Sequence, residues 1–234
     1  MVYKLEDKTI DLNDKKKFPL IAKGKNGNVY EYGTSAIKVF ENTEEPPISE
    51  ETAEYLTTTN TERILLPRKL LFYDSAFCNG IFAGYSLKRV PKKPNVKKLI
   101  NSPVEQLIDN VEGLEKDIRT ISKKRILLSD MSPENVKYNG TLYISDPSKY
   151  TVLELPESGD LDKELEKINC YQLHLLLTEL FAEELRKINF PQSSIFRLRE
   201  IFSLKDSDQQ SSKFLTDIID GQGTIKEMVK KINR

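Results

Sequence analysis

The chain of 234 residues has no tryptophan, one histidine and two cysteines. Cys78 and Cys170 lie far apart in the sequence. They build no disulfide framework, and without a CxxC pair or a Cys/His cluster there is no zinc motif. A reducing compartment follows from that usage. The one histidine, His174, sits inside an apolar helical run and reads as structural, which leaves almost no room for histidine chemistry. Excess charge of either sign is also missing, since 36 basic residues balance 36 acidic ones. That balance gives no reason to expect non-specific binding to nucleic acid or to an anionic membrane. No apolar run approaches the roughly 18 residues of a membrane span. The opening stretch MVYKLEDKTIDL is charged and lacks the apolar core of a signal peptide. The expectation is a cytoplasmic protein with no membrane span. There is no internal repeat and no low-complexity segment.

What is present is an ordinary folded composition, 38% hydrophobic and 31% charged, in a chain long enough for one domain of two lobes with a cleft. The first ninety residues read as strands. Val2 to Leu5 and Thr9 to Leu12 form a small hairpin. Phe18 to Ala22 runs into a glycine-containing turn, Gly24 to Gly27. Val29 to Tyr32 and Ser35 to Phe40 flank the Gly33-Thr34 turn. Ser49 to Thr58 is a helix with Ser49 as its cap and glutamates in its first turn. Ile64 to Tyr73 and Ile81 to Leu87 are two further strands.

After the connector Pro91 to Asn95 the pattern turns helical. Ser102-Pro103-Val104-Glu105 has the form of a capping box with proline at the first helical position. Val104, Leu107, Ile108, Val111, Leu114, Ile118 and Ile121 then recur at helical spacing. Ile126 to Leu128 and Leu142 to Ile144 are short strands with a hairpin at Asn139-Gly140. Leu165 to Phe181 is apolar on nearly all sides and predicts a buried central helix. The last fifty residues hold two or three shorter helices. The fold class is α+β, a single domain over 1–234 divided into a strand-rich 1–90 and a helical 91–234. A ligand site between two such parts is the default expectation.

Three polar residues in that second part carry candidate chemistry. Asp130 follows a buried strand in a loop stopped by Pro133. Asn135 offers an amide oxygen, and Asp146 adds a carboxylate at the end of the next strand. Mg²⁺ takes hard oxygen ligands, typically one or two carboxylates beside phosphate oxygens and water. Read alone, Asp130, Pro133 and Asn135 are simply turn formers.

Four segments in order reach beyond that reading. DMSPENV, Asp130 to Val136, resembles the catalytic-loop pattern HRDLKPEN of protein kinases, and SDPS, Ser145 to Ser148, resembles a variant of DFG. Ala22-x-Gly24-x-x-Gly27-x-Val29 resembles the Gly-rich loop, with alanine for its first glycine. Ala36-Ile37-Lys38 resembles the VAIK strand. The chain is thus similar to the protein-kinase-like superfamily in a minimal, bacterial-type form, from about residue 18 to residue 182. The resemblance implies a two-lobed fold, a small antiparallel-sheet N-lobe on a reduced helical C-lobe. It implies ATP and Mg²⁺ (or Mn²⁺) as cofactors. Asp130 would accept the proton of the substrate hydroxyl, and Asn135 and Asp146 would hold the metal. Lys38 would meet the α- and β-phosphates with Glu51 as its carboxylate partner, Glu50 and Glu54 being the alternatives. Tyr55, four residues on from Glu51, would pack inward beside it. Leu87 falls near the gatekeeper position, and backbone groups of Lys88 to Val90 would meet the adenine. Asn169 stands where the family has an aspartate that supports the catalytic loop.

The departures are as specific. Leu128 and Ser129 replace the histidine and arginine before Asp130, which argues against switching by a phosphorylated activation loop. Ser132 replaces a lysine that neutralises the γ-phosphate, and Pro147-Ser148 replaces Phe-Gly. Only 22 residues separate Asp146 from Asn169, so the activation segment is short, with Leu155-Pro156-Glu157 as a candidate APE motif. The implied activity is transfer of the γ-phosphoryl group of ATP to a hydroxyl, with a protein (Ser/Thr) as substrate. A pseudokinase binding module, a small-molecule kinase and an AMP transferase on the same fold are the alternatives. The basic run Arg89, Lys92, Lys93, Lys97, Lys98 reads as a solvated face.

Overall fold

The computed structural model describes residues 2–74, 80–90, 99, 101–129, 131–146, 150–154, 159–187 and 192. It is a mixed α+β protein that divides into two compact units. The first is Met1–Asn60, Leu65–Val90 and Asp146–Ser148. The second is Thr61–Ile64, Pro91–Ser145 and Lys149–Arg234. The expected helices near the C-terminus, the Pro91 to Asn95 connector and Leu155-Pro156-Glu157 lie outside the described residues, as do Cys78 and Lys92, Lys93, Lys97 and Lys98.

The first unit is built on a seven-stranded antiparallel sheet. Its strands are β1 (Val2–Leu5), β2 (Lys8–Asp11), β3 (Leu20–Gly24), β4 (Gly27–Tyr32), β5 (Ser35–Val39), β6 (Lys69–Tyr73) and β7 (Phe82–Lys88), in the spatial order β2-β1-β6-β7-β5-β4-β3. The side-chain period of two sorts each strand onto two faces. On β1, Tyr3 and Leu5 are buried while Lys4 is exposed. Tyr3, Leu5, Ile10, Phe18, Ile37, Val39 and Leu71 meet in one apolar cluster. Burying one such side chain fully contributes about 1.5–3 kcal/mol. Helix α1 (Glu50–Thr57) starts as expected, with the Ser49 hydroxyl accepting from Thr52 N at 3.1 Å. Its buried residues are Ala53 and Leu56.

The second unit holds α2 (Val104–Lys123) and α3 (Gly159–Lys187), with four short strands: β8 (Ile126–Leu128), β9 (Val136–Tyr138), β10 (Leu142–Ile144) and β11 (Tyr150–Val152). β9 pairs with β10 and β8 with β11. On α2, Leu107, Val111, Leu114, Ile118 and Ile121 are all essentially inaccessible, a continuous stripe at 4-3-4-3 spacing. Asp117, on the same helix, is also buried. Its carboxylate accepts from the backbone N–H groups of Glu62 (3.2 Å), Arg63 (2.6 Å) and Ile64 (2.9 Å). The Arg63 side chain lies across Gly113, where a Cβ would stand 2.1 Å from Nε. Asn110 accepts from Leu142 N at 2.8 Å and donates to Gly140 O at 3.1 Å, which ties the β9–β10 hairpin to α2.

Four expectations are corrected. The capping box does not form: Pro103 occupies the N-cap with no side-chain cap, and the Ser102 hydroxyl lies 2.6 Å from Tyr138 Oη. The strand foreseen from Ile64 begins only at Lys69, because Asp117 holds residues 62–64 in a turn and Ile64 makes a lone bridge to Ile144. α3 is longer than its apolar run, and it is not buried on all sides, since Leu161, Ile168, Tyr171 and Leu175 remain 37–46% exposed. The Asn139-Gly140 hairpin does not join Ile126–Leu128 to Leu142–Ile144: it joins β9 to β10, and β8 pairs with β11 instead. Among the described residues no helix is long and apolar enough to cross a membrane.

Candidate functional site

In the first unit, strand register gathers most of the expected nucleotide residues on one face of the sheet. Antiparallel partners standing opposite one another point to the same side. Ala22 pairs with Val29, Val29 with Lys38, and Lys38 with Tyr85, so these four form one cross-strand row. Ala36 pairs with Leu87 and with Glu31 in the neighbouring row. Ile37 and Val39 point the other way, into the core. The face therefore presents small and aliphatic side chains (Ala22, Val29, Ala36, Leu87) together with Tyr85, Glu31 and the cation Lys38.

That cation, Lys38, is ion-paired to Asp146. Nζ lies 2.8 Å from Oδ1, with the two side chains 11% and 21% exposed. The pair joins residues 108 positions apart. Asp146 is held at φ +80°, in the left-handed region that a non-glycine residue enters only at a cost. Lys38 Nζ also stands 5.9 Å from the centroid of the Tyr85 ring.

The glycines answer to different demands. Gly24 and Gly27 pair across the tight β3–β4 hairpin. Gly27, at φ +137°, could carry no side chain, because a Cβ would fall 2.1 Å from the Val39 carbonyl oxygen. Its conformation thus serves the approach of β4 to β5. A Cβ at Gly24 would make only an ordinary van der Waals contact, 3.5 Å from Gly27 O.

Glu51 stands apart from this group. It is exposed on the first turn of α1, as are Glu50 and Glu54. Lys38 takes Asp146 as its ion-pair partner in its place. Tyr55 is half-buried. Lys88 ends β7 opposite Ser35, and Val90 follows in a half-buried loop. Arg89 belongs to no free basic face, since its guanidinium binds Glu31 at 2.7 Å and the Gly33 carbonyl at 3.1 Å.

In the second unit, Asn135 closes a single 3-10 turn, Pro133–Asn135. Its carbonyl accepts from Ser145 N at 2.9 Å and from Ser145 Oγ at 2.8 Å. Ser145 immediately precedes Asp146 in the chain. Asn135 is half-buried, and its side-chain amide makes no hydrogen bond among the described residues. Asp130, and Pro147-Ser148, lie outside the described residues. The backbone just before Asp130 is anchored by Asn169, which is wholly buried. Asn169 accepts from Leu128 N at 2.8 Å and donates to Ile126 O at 2.9 Å and to Ser122 Oγ at 3.0 Å.

Asp146 in the first unit and Asn135 in the second each offer an oxygen donor, the kind that Mg²⁺ or Mn²⁺ takes rather than a thiophilic metal. Among the described residues no three His, Cys, Asp or Glu side chains cluster as a self-contained metal site. An Mg²⁺ held mainly by phosphate oxygens needs no such cluster.

Sequence reasoning missed Tyr85, Gly84 and Asp117. Gly84 carried a signal, a lone glycine inside the apolar strand Phe82–Lys88, which marks a close backbone approach. A Cβ there would lie 2.0 Å from the Lys38 carbonyl oxygen. Compared with known proteins, the chain matches no family model and no curated protein.

Proposed function

We propose that the chain is an ATP-dependent phosphotransferase of two-lobed, protein-kinase-like fold, moving the γ-phosphoryl group of Mg·ATP to a protein hydroxyl. The observation that carries this reading is the Lys38–Asp146 pair. A strand lysine and a backbone-strained aspartate 108 residues away meet on a sheet face of small apolar side chains. A lysine and aspartate in these two motifs are what phosphoryl transfer asks of a kinase-like chain.

Bound Mg·ATP supplies the electrophilic phosphorus and part of the charge neutralisation. Every other contribution belongs to the chain. Lys38 places a fixed positive charge for the α- and β-phosphates. Asp146 and Asn135 would hold the metal ion through oxygen. Ala22, Val29, Ala36 and Leu87 offer an apolar surface to the base, and the backbone of Lys88 to Val90 offers it hydrogen bonds. Gly24, with no side chain, would let the β3–β4 backbone approach a phosphate. Asp130 takes the hydroxyl proton as the acceptor oxygen becomes nucleophilic. Asn169 holds the chain ahead of Asp130 by accepting from Leu128 N. Catalysis in such a site comes from positioning and charge rather than from covalent steps.

Incubation with Mg²⁺ and ATP labelled at either the γ- or the α-phosphate tests the proposal, with autophosphorylation and dephosphorylated casein as readouts. Label should transfer from the γ-position alone and be lost in Asp146→Asn and in Lys38→Met. Transfer that survives Asp146→Asn, or that comes from the α-position, overturns it. Absence of both transfer and any thermal shift with Mg·ATP would make the chain a binding module instead.

A further inference from the structure

We infer that Tyr85 is the positioning residue for Lys38, and that Lys38 is aimed by the sheet itself rather than by a carboxylate from α1. This rests on the nucleotide reading of the Lys38 face and says what positions the lysine in that site. Kinase-like sites that pair their lysine with a helix glutamate can be switched by moving the helix. Here the helix carries no such control.

Three observations converge on Tyr85. Its ring is fully buried and stands directly across the β5–β7 ladder from Lys38, with Nζ 5.9 Å from the ring centroid. That lies within cation–π range, and the interaction strengthens where the cation is desolvated, as it is for a side chain only 11% exposed. The ring cannot swing away. It packs edge-on against Phe40 at 5.7 Å, Phe40 packs edge-on against Phe82 at 5.1 Å, and Phe82 touches Phe72 at 6.0 Å. The backbone beneath is equally fixed, because Gly84 lets β7 come so close that a Cβ would collide with the Lys38 carbonyl.

The helix offers nothing comparable. α1 turns Ala53 and Leu56 inward. At 100° per residue, Glu51 lies about 160° and 140° away from those two positions. Glu50 and Glu54 are exposed as well. Among the described residues Lys38 therefore has two partners, the Asp146 carboxylate and the Tyr85 face. A metal ion bound by Asp146 would draw charge away from the first. The second is unaffected by that event and keeps the ammonium in place.

The test uses the intact chain and two readouts. In the ligand-free protein, the face of Tyr85 shifts the Lys38 Cε protons upfield, measured by NMR with assignment through Lys38→Arg. The shift should persist in Asp146→Asn and in Glu51→Gln. A return to the random-coil position in Asp146→Asn shows that the carboxylate alone places Lys38, and overturns the inference whether or not Tyr85→Leu folds. In the presence of Mg·ATP, Tyr85→Leu should raise the nucleotide Kd roughly tenfold, and Tyr85→Phe should restore it to within about twofold. A loss in Glu51→Gln equal to or larger than that in Tyr85→Leu also overturns it. Failure of the wild-type chain to bind Mg·ATP would sink the nucleotide reading, while the NMR result would still decide what positions Lys38.

Discussion

Replacing Asp117 should destabilise the second unit more than any other single polar change on α2. The carboxylate is 5% exposed and receives three backbone N–H donors, from Glu62, Arg63 and Ile64, at 2.6–3.2 Å. A hydrogen bond to a charged group contributes about 1.5–3 kcal/mol. The three share one acceptor group and are not additive. Glu62 is exposed and can turn to water, whereas Ile64 is completely buried. Asp117→Ala therefore costs about 3–5 kcal/mol, dominated by the stranded Ile64 amide and by partial loss of Arg63. Asp117→Asn keeps one acceptor oxygen but turns an NH₂ toward backbone donors, at about 2–4 kcal/mol. Against a typical total of about 5–15 kcal/mol, either loss is large, and it corresponds to a fall in Tm on the order of 10 °C. Thermal unfolding followed by circular dichroism measures the fall. Hydrogen exchange localises it, because the Ile64 amide should lose protection before the strands of the first unit do. An Asn variant within about 0.5 kcal/mol of wild type, with Ile64 still protected, would refute the reasoning.

Two further predictions concern α3. Asn169→Asp introduces the residue usual in protein kinases, yet it should destabilise by about 2–3 kcal/mol. The carboxylate could still accept from Leu128 N, but it would face the Ile126 carbonyl and remove that oxygen's donor; a melting temperature equal to wild type would contradict this. Cys170 is buried, and burial pushes its thiol pKa up to about 12. It should resist iodoacetamide at pH 8 until the protein is denatured, as read by peptide mass spectrometry. The sign of the linkage follows. The raised thiol favours the folded state fully below the unfolded value near 9, and that contribution is lost as pH climbs from 9 toward 12. Cys170→Ala should lack that component of the alkaline decline, and an identical decline in both proteins would exclude it.

How much of this was legible in the sequence depended on whether the signal was local. The β1–β2 hairpin, the Ser49 cap and the α2 stripe all declare themselves within a few residues, through alternation, a cap and a 3.6 period. Asp117 gave no such signal. A carboxylate in the middle of an amphipathic helix reads as part of the solvated face, and its partners lie 53–55 residues earlier in the chain. The capping box failed for a related reason. Its pattern was intact, but the Ser102 hydroxyl lies against Tyr138, a tertiary contact that no local rule contains.

The site residues divide along the same line. No spacing rule connects Lys38 with Asp146, and only the resemblance put them in one site. On α1 the resemblance points to Glu51 through Tyr55, four residues on, packing inward. Ala53 and Leu56 took the inward face instead, and Glu51 went to solvent. The glycines sharpen the point. Gly27 belongs to the motif, yet its positive φ and the nearby Val39 carbonyl account for it through strand packing alone. Gly84 belongs to no motif, yet it brings β7 against the backbone of Lys38. A motif marks where chemistry is expected, whereas register and close approach determine which side chain stands beside it. In this sheet they put a tyrosine opposite the lysine, which is why its anchor was not legible from the kinase pattern.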